Sequence, residues 1–201
     1  MYTCGTGGIN MYQKKRDKRS IQSSEWIYDA LKELMYVKDY SKITVTDIVN
    51  KANIGRTTFY RHFETIDDVL KMKCYEKFQE FRQYCIDYYK LNDVNDNSFL
   101  KPFLRYWYNN SEIIELLIKA NRESIIKESL TKEVKFFIEA SSVSENQVIG
   151  SHLNYFIEMR VSNSISILTE WIRNDKNIQP DELADIITAQ TKESIEVNLF
   201  L

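Results

Sequence analysis

Residues 43–63, ITVTDIVNKANIGRTTFYRHF, read as two short helices joined by a tight turn, the second one basic and rich in hydroxyls. Thr44 or Thr46 supplies the side-chain oxygen that caps the first helix. Its apolar positions Val45, Ile48, Val49 and Ala52 share one face and leave Asp47, Asn50 and Lys51 to solvent. Asn53 tolerates the left-handed backbone of a tight turn, Ile54 plugs the angle between the helices, and Gly55 opens the next helix. That helix starts near Arg56. Phe59 and Phe63, four apart, face inward, and Arg56, Thr57, Thr58, Tyr60, Arg61 and His62 lie mostly outside. Arginine can take guanine bidentately, threonine can donate to phosphate or touch a thymine methyl, and tyrosine and histidine can reach phosphate from the flank. The pattern is that of a helix-turn-helix whose second helix enters a DNA major groove. A plain helical hairpin with a solvated polar face gives the same spacing.

Upstream, Ile27, Ala30, Leu31, Leu34 and Met35 form the apolar stripe of a preceding helix. With that helix included, the region resembles the DNA-binding domain of the TetR family of bacterial transcriptional regulators. There a threonine-capped helix, an alanine before the turn and a recognition helix ending in Tyr-x-His-Phe recur; here these are Thr44, Ala52 and Tyr60-Arg61-His62-Phe63. The family's turn glycine is replaced by Asn53, and its serine before the recognition helix by Gly55, also a permitted cap. Its phosphate-gripping lysine at the start of the fourth helix is replaced by Ile66, leaving Lys71 or Lys73 to supply that contact.

Composition sets the frame. The 201 residues are 43% hydrophobic, enough for one large domain or a small one fused to a larger. No run of eighteen apolar residues and no secretory apolar segment is present, so a cytoplasmic location without membrane association is expected. Three cysteines, widely spaced, with His62 and His152 as the only histidines, make neither a disulfide framework nor a zinc site, and no metal or cofactor is expected. Two prolines and five glycines leave long uninterrupted segments suited to helices.

The net charge of -2 conceals an asymmetry. Residues 1–63 hold eleven Lys/Arg against six Asp/Glu, whereas residues 64–201 hold sixteen against twenty-three. A basic amino-terminal part on an acidic body suits a DNA reader with a separate regulatory domain, because phosphate neutralisation needs local positive charge. Lys14, Lys15, Arg16, Lys18 and Arg19 read as a flexible arm touching backbone or minor groove.

Beyond Phe63 the helices lengthen. Over 67–91, Leu70, Cys74, Phe78, Phe81, Cys85 and Tyr88 make one continuous stripe, which places both cysteines in a core or pocket wall. After a polar break at Asp93–Asn97, helices are expected over 98–109, 111–119 and 122–140. From about Glu145 to Asn174, Leu153, Ile157, Val161, Ile165, Leu168 and Ile172 form one stripe, and Phe156, Met159, Ile167 and Trp171 a second. A last helix runs from Pro180 to about Asn198, with Leu183, Ile186, Ile187 and Ile195 apolar. It cannot cover the second stripe alone, so another copy of the chain is expected to do so. The expected dimer surface is Val161, Ile165, Leu168, Trp171, Ile172, Leu183 and Ile187. The resemblance implies the same, since the last two helices of TetR-like proteins pair as a four-helix bundle.

The expected fold is therefore all-α: a basic arm over 1–17, a three-helix DNA-binding domain with the helix-turn-helix over 18–66, and a larger helical ligand-binding and dimerisation domain over 67–201. Contacts to double-stranded DNA are expected from Thr44, Thr46, Arg56, Thr57, Thr58, Tyr60, Arg61, His62 and Lys71. The resemblance implies a repressor that binds a palindromic operator as a homodimer and is released by a small-molecule effector. Phe81, Tyr84, Phe103, Trp107, Phe137 and Tyr155 are candidates to wall the effector's pocket, although aromatic stripes at helical spacing also make a plain core. The alternative is a dimeric helix-turn-helix protein that works through a protein partner, as a co-activator or localisation factor. An enzyme is disfavoured, for want of a Gly-rich phosphate loop, of histidines for a triad, and of carboxylates distinguishable from solvated helix faces.

Overall fold

Every regular element among the described residues is helical, as the spacing of apolar residues requires. The computed structural model describes residues 18–91, 99–140 and 151–197. The arm with Lys14, Lys15 and Arg16, the polar break at Asp93–Asn97 and the helix start near Glu145 lie outside the described residues. In order the helices are α1 (Lys18–Val37), α2 (Val45–Lys51), α3 (Arg56–His62), α4 (Ile66–Leu91), α5 (Leu100–Asn110), α6 (Glu112–Lys119), α7 (Glu123–Glu139), α8 (Leu153–Arg173) and α9 (Pro180–Val197), with a 3-10 turn at Tyr40–Lys42. Lys18 and Arg19 belong to α1 rather than to the arm. The chain divides into two compact units, one ending at Val69 and one starting at Leu70. No helix among the described residues is long and apolar enough to cross a membrane.

In the first unit Ile27, Leu31 and Met35 of α1 are fully buried, and Ile48, Val49, Phe59 and Phe63 close the same core. α2 packs on α1, and α3 packs on both. Loops are fastened by polar pairs that span few residues. Lys38 reaches Asp47 at 2.8 Å, and the Tyr40 hydroxyl donates to Asp67 at the start of α4. At that start the Thr65 N–H and hydroxyl both donate to Asp68, at 2.8 Å each, while the Asp68 N–H donates back to Thr65 Oγ1. This reciprocal box fixes where α4 begins.

In the second unit, α7 packs on α8, α5 on α9, and α6 on both α7 and α8. Its core is aromatic: Phe78, Phe81, Phe103 and Trp107 are all fully buried, with the Phe78 and Trp107 rings 4.8 Å apart. Side-chain pairs far apart in sequence link the helices. Arg82 of α4 grips Glu133 of α7 through two hydrogen bonds of 2.5 and 2.8 Å, and Arg105 of α5 grips Asp181 of α9 through two of 2.6 Å.

The two-striped helix α8 corrects part of the expected dimer surface. Val161, Leu168, Trp171 and Ile172 are buried within the chain itself. α7 covers one side of α8, and the turn after it folds back to cover the other. There the Trp171 indole N–H donates to the Ile178 carbonyl at 3.0 Å, and its ring stacks on Tyr108. Ile165, Leu183 and Ile187 are half-buried. Left exposed are Tyr155, Met159 and Ile186. Tyr155, expected in a pocket wall, is 80% exposed because it occupies the outer face of the first turn of α8.

Candidate nucleic-acid interface

α2 begins where a second Thr-x-x-Asp box places it. The Asp47 N–H donates to Thr44 Oγ1 at 3.2 Å, and the Asp47 carboxylate accepts from both the N–H and the hydroxyl of Thr44 at 2.8 Å. The cap is thus Thr44, not Thr46. Asp47, read from the sequence as merely solvated, is the centre of the arrangement. The Lys38 ammonium and then the Thr44 donors hold its carboxyl down at about 2, against an ordinary 3.8. A depressed carboxyl stabilises the fold above its unfolded pKa, and that contribution fades as pH falls through the folded value. Wild type is therefore expected to lose stability relative to Asp47→Asn between about pH 4 and pH 2, and to keep a constant advantage above that window. Parallel acid titrations followed by far-ultraviolet circular dichroism check this; superimposable curves would remove the role given to Asp47.

α2 ends as deliberately as it begins. Asn53 takes φ of 52°, its N–H donates to the Asn50 carbonyl, and the Ile54 N–H reaches back to the Val49 carbonyl at 3.0 Å. That pair of bonds is the Schellman closure, in which a left-handed residue turns the chain sharply out of a helix. Gly55 then caps α3 with extended backbone (φ -80°, ψ 151°) and no side-chain bond. A Cβ built on it meets nothing within 4 Å, so a serine fits there as well.

On α3 itself Phe59 is fully buried and Phe63 nearly so. Arg56, Thr57, Tyr60 and Arg61 are exposed, and Thr58 and His62 are half-buried. The Arg56 guanidinium donates to Thr46 Oγ1. Thr46 is thereby a positioning residue for Arg56, a role that spacing did not reveal. Thr44 commits its N–H and its hydroxyl proton to Asp47, so the box is its main task. Lys71 is exposed on α4 and belongs to the second unit; Lys73 lies 3.5 Å from Glu76. What α3 offers solvent is one face of guanidinium, hydroxyl and phenol groups, donors suited to phosphate oxygens and base edges.

Of the expected pocket residues, Phe81, Phe103 and Trp107 sit together in the core of the second unit. Tyr84 and Phe137 are half-buried at its margin, 5.5 Å from Tyr106 and 6.3 Å from Phe99 between ring centres. Burial raises the thiols of Cys74 and Cys85 to about 12, which keeps them protonated and inert. Among the described residues no group of acidic, histidine or cysteine side chains could hold a metal ion.

Fold and site together define a helix-turn-helix DNA reader attached to a larger helical unit. Residues 27–71 match the family described as bacterial regulatory proteins, tetR family, and residues 95–192 match the transcriptional regulator C-terminal region of that family. The chain belongs to the TetR family of transcriptional regulators and binds DNA. Its amino-terminal part is similar to the HTH-type dhaKLM operon transcriptional activator DhaS of Lactococcus lactis, at 36% identity over 36% of this chain and 38% of that protein. The chain thus spans less than half the length of that relative. Among solved structures it resembles Lin0861 from Listeria innocua, with a TM-score of 0.71 at 18% identity over 92% of this chain and 95% of the other. It also resembles a TetR-family transcriptional regulator from Syntrophomonas wolfei, with a TM-score of 0.60 at 16% identity over 90% and 98%.

Proposed function

We propose that the protein is a homodimeric repressor that occupies a palindromic operator in the cytoplasm and is released by a small molecule bound in its helical body. The observation that carries the DNA side of this reading is the split surface of α3. Phe59 and Phe63 anchor one side, while Arg56, Thr57, Tyr60 and Arg61 stand on the other, with Arg56 already steadied by Thr46. Arg56, Thr57 and Thr58 then touch base edges or the neighbouring phosphates. Tyr60, Arg61 and His62 hold the backbone, and Lys71 takes the place of the family's lysine.

A second copy supplies the second half-site, with recognition helices in successive major grooves about 34–36 Å apart. Tyr155, Met159 and Ile186, with half-buried Ile165, Leu183 and Ile187, are the apolar side chains that second copy would cover. On the sensor side, the Trp107 indole N–H is buried without a hydrogen-bond acceptor among the described residues. An effector carrying a carbonyl or ether oxygen among those rings would accept from it. Exposed Tyr155 and Met159 also favour a second reading, in which a protein partner rather than a small molecule conveys the signal.

Selection of DNA fragments by the purified protein, repeated with cell metabolites added, tests both halves: a palindrome should enrich, and metabolites should deplete it. Failure to enrich any palindrome would overturn the operator reading. On the selected site Tyr60→Ala is expected to weaken binding about three- to tenfold at fixed salt, the worth of one hydrogen bond. Arg61→Ala should lower the slope of log K against log salt by about 0.9, the signature of one lost phosphate contact. An unchanged slope removes Arg61 from the backbone contacts.

A further inference from the structure

Between α1 and the carboxyl end of α2 lies an open cleft of about 350 Å³ that no part of the DNA-reading face enters. Its α1 wall consists of Trp26, Asp29 and Glu33, one helical face at steps of three and four. Its opposite wall is Lys51 and the turn residue Asn53, and the small side chains of Ala30 and Ala52 leave the space between. Trp26 is 48% exposed, an unusual place for the largest aromatic side chain. Lys51 reaches Glu33 at 2.6 Å, and this holds the Glu33 carboxyl below its ordinary range. Asp29, in contrast, has no ion pair or hydrogen bond among the described residues. Two carboxylates against one ammonium give the cleft a negative balance, which repels phosphate and favours a cation. An indole face beside an unpaired carboxylate is the chemistry that recognises organic ammonium and guanidinium groups.

We propose that this cleft is a binding site for a small organic cation, a primary amine or guanidinium on a short hydrocarbon stem. The cationic head pairs with Asp29, and the stem lies on the Trp26 ring. The volume stands at the small end of ligand sites, which suits such a molecule. An occupant touches Asn53, whose left-handed backbone directs α3, so the site sits against the hinge of the DNA reader.

The test uses the DNA-free full chain and agmatine, which carries both head groups on a butane stem, with 1-butanol as the uncharged control. Trp107 and Trp171 are buried, so acrylamide quenching of fluorescence reads chiefly Trp26. Agmatine should protect Trp26 saturably and shift the backbone amide of Asn53 in nuclear magnetic resonance spectra, and Asp29→Asn should weaken both effects about fivefold. Trp26→Leu, followed by the Asn53 amide alone, should weaken binding as well. Non-saturating protection, equal binding by Asp29→Asn, or an equal response to butanol would overturn the proposal. So would binding of a lysine-containing tripeptide where agmatine fails, since it would assign the cleft to a protein partner. Because DNA is absent, each outcome is independent of the operator reading.

Discussion

Phe59→Ala is expected to unfold the DNA-reading unit or leave it barely folded, and to abolish operator binding. Phe59 is fully buried, with its ring 5.4 Å from Tyr60 and 5.9 Å from Phe63. It is the only fully buried side chain on α3, a helix of seven residues that has little stability of its own. Truncating a buried phenylalanine costs about 3–5 kcal/mol through lost transfer energy and the cavity left behind. A unit of this size has a total stability of only about 5–15 kcal/mol. The transition followed by the Asn53 and Phe63 amides should therefore fall by more than about 10 °C. Phe59→Leu, which keeps much of the volume, should retain folding and measurable DNA binding. A Phe59→Ala protein that melts within a degree or two of wild type would show that α3 is not anchored by this ring.

Arg82→Ala is expected to have a comparable effect on the second unit. Glu133 is fully buried on α7, and the Arg82 guanidinium holds it by two hydrogen bonds. The same guanidinium lies over the Phe136 ring at 4.3 Å. Bonding to Glu133 keeps the Arg82 cation well above even its ordinary pKa. Removing the arginine strands a carboxylate in the core, and breaking a buried pair in this way costs about 3–5 kcal/mol. Replacing both partners by apolar side chains, Arg82→Met with Glu133→Leu, should recover most of that loss, because no uncompensated charge remains. Urea unfolding followed by the fluorescence of Trp107 and Trp171 reads this unit. A loss below about 1 kcal/mol in Arg82→Ala would mean that water reaches Glu133 and that the pair is a surface bridge in effect.

These two residues differ in how far the sequence announces them. Phe59 is legible, because its spacing from Phe63 and the polar residues between them leave one way to orient α3. The Arg82–Glu133 pair is not, because its members stand on helices joined only in three dimensions, and a charged residue on a helical pattern reads as solvated. The same limit explains Asp47, whose partner Lys38 lies beyond the preceding loop, and Thr46, whose task depends on where Arg56 lands.

Local information in the sequence determined the helices and their ends. Pro180 opens α9, Asn53 closes α2, Thr44 caps it, and the stripe from Leu70 to Cys85 runs along α4, since capping and periodicity act over a turn or two of chain. The tertiary structure alone decided which apolar face is spent inside the chain. Periodicity says that Val161, Leu168, Trp171 and Ile172 must be covered but not by what; α7 and the turn after α8 do it, leaving Tyr155, Met159 and Ile186 outside. It also placed Trp26 beside Asp29 and the Asn53 turn. A hydrophobic pattern records the need for burial, while the identity of the partner depends on how the helices cross in space.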